Sequence, residues 1–275
     1  MGELGRQAGR AAAAADDVTN SKGFEAAARV GYLASGLLHV MIGVIALRVA
    51  AGGSGSADQS GAVSAVAGSP GGAVLLWICF LGSAALAVFL LGEVFFGARQ
   101  RSGKEKLKHQ LKDGGKAAAY GAIAVVFGTY AMGGSSNSEA SAQSISARLM
   151  THPAGTALIV AVGVGLVVGG GFLVHRGATR SFRDNLKSLP PGGAGSAVMG
   201  LGTAGYIAKG IALGVVGVLL VVAAVQHDPQ EASGLDGALK SLLQQPFGVW
   251  ILGLVALGLI CYGAFMVVRS KYERM

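Results

Sequence analysis

The feature that most constrains this chain is a succession of apolar runs, each close to the length that crosses a bilayer and nearly free of charge. A hydrocarbon core roughly 30 Å thick, at about 1.5 Å of rise per helical residue, asks for about 20 mainly apolar residues. Six segments meet or approach that length, at 30–50, 73–96, 116–133, 154–175, 203–225 and 247–268. The third is the shortest, its run extending from Ala117 to Met132. It reads as a spanning helix, tilted or extended at either end, with a partly re-entrant piece as the alternative. The expectation is an all-α polytopic membrane protein of six transmembrane helices.

Charge supports that reading. Only 13% of the 275 residues are charged and 52% are hydrophobic, against about 25% charged in a soluble domain. The net charge of +8 would suggest nucleic acid in a soluble chain. Here the basic residues fall between apolar segments, so the anionic partner expected is the membrane lipid surface and not nucleic acid. Arg99, Arg101, Lys104, Lys106, Lys108, Lys112 and Lys116 lie in one connection, Arg176, Arg180, Arg183 and Lys187 in another, and Arg269, Lys271 and Arg274 in the tail. The alternate connections are poor in Lys and Arg. The positive-inside rule then places both termini and the two basic loops in the cytoplasm. Residues 1–28 are Ala-rich and mixed in charge, which fits a cytoplasmic leader better than a cleavable signal peptide. The two cysteines, Cys79 and Cys261, both lie in apolar runs and read as small packing residues.

Forty-six glycines without a Gly-X-Y period exclude collagen and suit close-packed membrane helices. Several recur in register. Stretches 61–70, 144–153 and 237–246 carry apolar residues at helical spacing and end in proline, which suggests short helices near the outer interface or broken turns of the next helix. Each proline opens a P-x-G unit: Pro70 with Gly72, Pro153 with Gly155, and Pro246 with Gly248. Gly82, Gly165 and Gly258 follow twelve residues after the prolines, and Phe89, Phe172 and Phe265 nineteen after. Gly170 and Gly263 precede two of these phenylalanines by two residues, where the first copy has Ala87. The odd segments carry Gly36 and Gly43, Gly121 and Gly128, and Gly210 and Gly217, a seven-residue spacing that keeps both glycines on one helix face. The chain therefore reads as three parallel tandem helix-hairpin repeats, at 29–97, 116–175 and 203–268, arranged with pseudo-three-fold symmetry. They are linked by the basic loops 98–115 and 176–202, with a tail at 269–275. The prolines are expected in the first turn of the even helices, where a missing N–H costs nothing.

The Gly31-Tyr32 and Gly205-Tyr206 openings, with Pro70, Pro153 and Pro246 and the glycines that follow them, resemble the bacterial family of uncharacterised membrane proteins called domain of unknown function 1206. The resemblance runs from about Ala28 to Arg269, and Ala117 departs from it where a tyrosine would stand. It implies a helix pair repeated three times and an actinobacterial type of source. It implies no activity and supplies no catalytic residues.

Polar groups inside apolar segments are the candidate functional residues. His39 lies in GLLHVMIG, where it either hydrogen-bonds between helices or takes part in proton or ligand chemistry; no second histidine is spaced for a bis-histidine haem. Lys209, near the start of the fifth segment, either snorkels to the inner surface or pairs with an acid such as Glu93. Tyr32 and Tyr206 suit an aromatic belt or a hydrogen bond within the bundle. No nucleotide, serine-hydrolase or metalloprotease motif is present, and no metal or cofactor is expected. A scaffold or accessory subunit of a membrane complex, docking a protein partner or another copy, fits this sparse polarity best. A transporter or channel for a small solute or ion, lined by His39, Glu93 or Lys209, is the alternative, followed by a membrane enzyme or a sterol, quinone or lipid binder.

Overall fold

The computed structural model describes residues 22–95, 103–186 and 192–272. Most of the N-terminal leader, Arg99 and Arg101, Lys187 and Arg274 lie outside the described residues, as do the side chains of Glu93 and Phe89 and those of the lysines at 104–116.

The described chain is helical throughout. Its α-helices are α1 (Lys22–Ala50), α2 (Gln59–Ala67), α3 (Gly72–Phe95), α4 (Gly103–Ala131), α5 (Ser138–Met150), α6 (Pro153–Ala178), α7 (Gly193–Gln226), α8 (Gly234–Leu243) and α9 (Gly248–Tyr272). Short 3-10 turns follow α6 at Ser181–Asn185 and α7 at Pro229–Glu231. A helix satisfies its own backbone hydrogen bonds, so an apolar segment of this composition can lose water without orphaning N–H and C=O groups. Five helices are long and apolar enough to cross a membrane, over Tyr32–Ala50, Gly72–Gly92, Pro153–Ala178, Gly193–Gln226 and Gly248–Tyr272. They make the chain compatible with a multi-pass membrane protein. The third expected segment behaves differently: α4 begins far upstream, in the lysine-rich stretch, and its continuously apolar part is only Tyr120–Ala131.

The three stretches before the prolines are helices, α2, α5 and α8. The reason for P-x-G is visible in each copy. A Cβ on Gly72 would collide with the carbonyl oxygen of Val66, one on Gly155 with that of Leu149, and one on Gly248 with that of Leu242. The end of each short helix thus rests its backbone, six residues back, against the first turn of the long one. The expected proline position holds only for Pro153, which opens α6. Pro70 and Pro246 sit in the turn before the helix. The residue after each, Gly71 at φ +78° or Phe247 at φ +60°, is left-handed and delays the helix start.

The chain divides into two compact units, Met1–Ala57 with Glu139–Met275, and Asp58–Ser138. In the larger unit the long helices lie side by side in the order α6, α7, α9, α1. Glycines set the closest contacts. At the α9–α1 seam a Cβ on Gly36 would fall 2.8 Å from the carbonyl oxygen of Gly263, and one on Gly263 would fall 2.5 Å from that of Gly36. At the α6–α7 seam Gly170 and Gly210 oppose each other in the same way, as do Gly163 and Gly217 one step along. Without a hydrophobic driving force between helices in lipid, this backbone-to-backbone packing is what holds them. α7 and α9 also meet, where Gly258 leaves room for Ala208 and Gly205 for the backbone of Tyr262.

In the smaller unit, α3 packs on α4 and on α2. Gly128 lies against the ring of Phe80, 3.0 Å from a built Cβ, while Gly121 and Gly82 face open space. Gly165, in the larger unit, is likewise open. Of the glycines expected twelve residues after the prolines, then, only Gly258 is a close-contact position.

Glycine seams join α6 to α7 and α9 to α1, and α3 packs on α4 with one glycine, Gly128, in close contact. Each even helix of the sequence repeat closes on the odd helix of the following copy, and the last closes on the first. The sequence pattern left the partner of each glycine face open, because spacing identifies the glycine face of a helix but not the helix it meets.

Two buried carboxylates outside the long helices are satisfied. Asp236, on α8, is buried, accepts the N–H of Ala57 at 2.7 Å and pairs with Lys240 one turn on. It ties the connection after α1 to α8. Asp58 caps α2 by accepting from Gly61 N–H at 2.8 Å and from the Ser60 hydroxyl.

Candidate cation–tyrosine cluster

Four of the five candidate residues belong to the larger unit, and the structure links three of them through a residue the sequence did not single out, Tyr262 of α9. His39 on α1 packs its ring against Tyr262, centroids 4.8 Å apart. Its Nδ1 donates to the carbonyl of Ser35 in the preceding turn at 2.7 Å. The expected hydrogen bond to another helix is replaced by an intrahelical one, because Ser35 is the acceptor four residues back. What His39 gives its neighbour is a ring face, and its Nε2 is left as an acceptor.

Lys209 lies midway along α7, which begins at Gly193 and so extends well before the apolar run. Its ammonium does not snorkel outward. It donates to the Tyr262 hydroxyl at 3.3 Å and stands over the Tyr262 ring at 4.3 Å from the centroid. Glu93, the acid weighed as its partner, is on α3 with its side chain outside the described residues.

Tyr206 is one helical turn before Lys209 and buried. Its hydroxyl accepts from a guanidinium nitrogen of Arg269 at 3.0 Å, the internal hydrogen bond that was one of its two expected roles. Its ring meets that of Tyr262 edge to face at 5.4 Å and is stacked on Phe182 at 5.2 Å. Phe182 comes from the turn after α6, where Arg180 takes a left-handed conformation and directs the following residues back against the bundle. Gly202 makes room for it: a Cβ there would fall 2.5 Å from the Phe182 ring. Phe182, Leu186, Val198, Tyr206, Tyr262, Phe265 and Met266 form one buried core.

Two cations repeat one contact. Arg269 lies over the ring of Tyr32 at 5.0 Å, and Arg176 over the ring of Tyr206 at 5.3 Å. Tyr32 and Tyr206 hold the same place in their copies, four residues before Gly36 and Gly210; Arg176 and Arg269 each follow the repeat phenylalanine by four. The two glycine seams of the larger unit are thus each finished by an arginine on a tyrosine face. Repeat register carried this signal, with Glu93 in the first copy where the others have arginine and Ala117 in the second where the others have tyrosine. Tyr262 had no such signal, since Gly169 and Leu86 occupy its place in the other copies.

Together these residues form a polar, aromatic ladder from His39 through Tyr262 and Lys209 to Tyr206, Arg176 and Arg269, embedded in four helices long and apolar enough to span a membrane. A cation over a ring, when desolvated, is held by about 2 kcal/mol or more, so the cluster tethers α1, α6, α7 and α9. Among the described residues no three His, Cys, Asp or Glu side chains converge as a metal site. Cys79 and Cys261 are free thiols and half-buried.

The chain matches the family described as Domain of Unknown Function (DUF1206) in three tandem segments, 30–97, 114–180 and 204–273. It is also similar to a Bacillus subtilis (strain 168) protein called "Uncharacterized protein YxxB", 30% identical over 254 residues that cover 90% of both chains. No solved structure matches it.

Proposed function

From the premise that the chain belongs to the family described as Domain of Unknown Function (DUF1206), we propose that it is a plasma-membrane protein of six spans with pseudo-three-fold symmetry and both termini in the cytoplasm, serving as a scaffold or accessory subunit of a membrane complex. The single observation that carries this reading is the backbone-to-backbone closure at Gly36–Gly263, Gly170–Gly210 and Gly163–Gly217. Such seams fix helices rigidly and leave large apolar side chains, Trp250, Leu254, Phe172 and Val168 among them, pointing away from the unit. A rigid bundle with apolar outer faces is what a docking subunit requires. The six-span count rests on α4 crossing with its apolar half extended by the preceding turns. Pseudo-three-fold symmetry rests on each even helix closing on the next odd one. The orientation rests on the lysine and arginine asymmetry of the loops.

The test is site-specific photocrosslinking in native membranes from Trp250 and from Phe172. The scaffold reading expects a discrete protein adduct from at least one of these faces and none from a probe at Phe265, an aromatic position buried within the unit. Adducts to lipid alone from both faces contradict it.

Transport of a small solute or ion is the second reading, and the observation favouring it is that Lys209 and His39 both contact Tyr262 within the membrane-length helices. Proteoliposome flux that Lys209→Met abolishes, with no protein adduct, would put transport in the scaffold's place.

A further inference from the structure

We propose that Lys209 and Arg176, held on the paired tyrosines Tyr262 and Tyr206, form a binding site for a phosphate-class anion, presented either as the headgroup of an anionic phospholipid or as free phosphate. The proposal shares with the scaffold reading only the placement of these helices in a bilayer, so its failure leaves that reading standing.

Four groups converge on the argument. The Lys209 ammonium has three donors and gives one to the Tyr262 hydroxyl at 3.3 Å. Arg176 lies over Tyr206 at 5.3 Å, and the two tyrosine rings meet at 5.4 Å, so the two cation–ring contacts are joined by one tyrosine pair. Among the described residues neither Lys209 nor Arg176 forms an ion pair with a carboxylate. A cation inside a membrane-length helix is costly until it meets a counter-charge, and a neutral phenol supplies only part of one.

The phenols point the same way. Tyr262 accepts from Lys209 and Tyr206 accepts from Arg269, so each hydroxyl oxygen is already served by a cation and its proton is left to donate. Neither donates to an acceptor among the described residues. Two cations and two O–H donors beside them are a recognition set for a tetrahedral oxyanion: guanidinium offers a two-pronged donor pair and the ammonium a compact point charge. Lys209 and Arg176 are both half-buried, so each keeps part of its side chain accessible to an anion.

The test uses the full chain purified in detergent and in nanodiscs, with phosphatidylglycerol, phosphatidylcholine and inorganic phosphate as probes. Native mass spectrometry counts retained lipid, and thermal unfolding at constant ionic strength reads phosphate. The wild type is expected to hold phosphatidylglycerol at least tenfold more tightly than phosphatidylcholine. Lys209→Met and Arg176→Gln should each lose about that factor, Tyr262→Phe a few-fold, and Lys209→Arg should stay close to wild type. Stabilisation by phosphate without lipid selectivity assigns the site to a free anion; lipid selectivity without a phosphate response assigns it to a headgroup. If Lys209→Met fails to fold, the wild-type selectivity and the Lys209→Arg and Tyr262→Phe series still decide. Equal retention of both lipids by the wild type together with no phosphate response overturns the proposal, as does binding that none of these substitutions alters.

Discussion

Gly36 of α1 and Gly263 of α9 face each other so closely that a side chain on either would press into the other's carbonyl oxygen, at 2.8 and 2.5 Å from a built Cβ. The first and last long helices of the chain are therefore neighbours at backbone distance. Gly170 and Gly210 repeat the relationship between α6 and α7.

Substitution at these glycines should be far more damaging than at glycines facing open space. Gly263→Leu or Gly170→Leu overpacks a closed seam and is expected to cost about 2–3 kcal/mol. Gly82→Ala and Gly165→Ala, with nothing within 4 Å of the added carbon, should change stability by no more than about 1 kcal/mol. Unfolding of the purified variants in detergent, followed by helical circular dichroism, checks the contrast.

Phe247 takes a left-handed conformation at φ +60° while 81% exposed, at the place where the first copy has Gly71. The backbone is strained and the side chain packs on little in return. Phe247→Gly should raise stability by about 1 kcal/mol, and Gly71→Phe should lower it by a similar amount. Midpoints of thermal unfolding measured side by side give the two signs.

Asp236 accepts the N–H of Ala57 and pairs with Lys240. Asp236→Ala leaves a buried donor and a lysine without their acceptor, at a cost of about 2 kcal/mol. The loss should show as faster amide exchange at Ala57 and along α8, with exchange in α6 and α7 unchanged.

Tyr206 separates packing from hydrogen bonding. Tyr206→Phe keeps the stack on Phe182 and removes the acceptor of Arg269, a charge-assisted bond of about 1.5–3 kcal/mol. Tyr206→Leu removes both and should be the more destabilising of the two by chemical denaturation.

The helices and the short helices before each proline were legible because apolar run length and helical spacing are local properties. P-x-G was legible as a pattern, but its cause was not: the carbonyls of Val66, Leu149 and Leu242 that press on the glycines belong to the preceding helix end. The left-handed turns at Gly71 and Phe247, which move Pro70 and Pro246 out of the helix, were equally hidden, since a phenylalanine announces no such conformation. His39, Lys209, Tyr32 and Tyr206 stood out as polar groups in apolar runs. Their connection through Tyr262 did not, because residues 53 apart in sequence meet only when α7 and α9 pack. The upstream extension of α4 to Gly103 was open in the sequence as one of the ways the short third run could be completed, and apolar run length alone could not choose it, because a lysine-rich stretch does not read as membrane helix.

The claim that α1 and α9 close on each other is tested most directly by cysteine crosslinking within one chain. Val40 borders Gly263, and Ile260 borders Gly43. With Cys79 and Cys261 replaced by alanine, Val40→Cys with Ile260→Cys should crosslink efficiently in membranes, within a monomer and independently of expression level, whereas Leu37→Cys with Ile260→Cys should not. Absence of the 40–260 link, or its appearance only between separate chains, would contradict the closure of the last helix on the first.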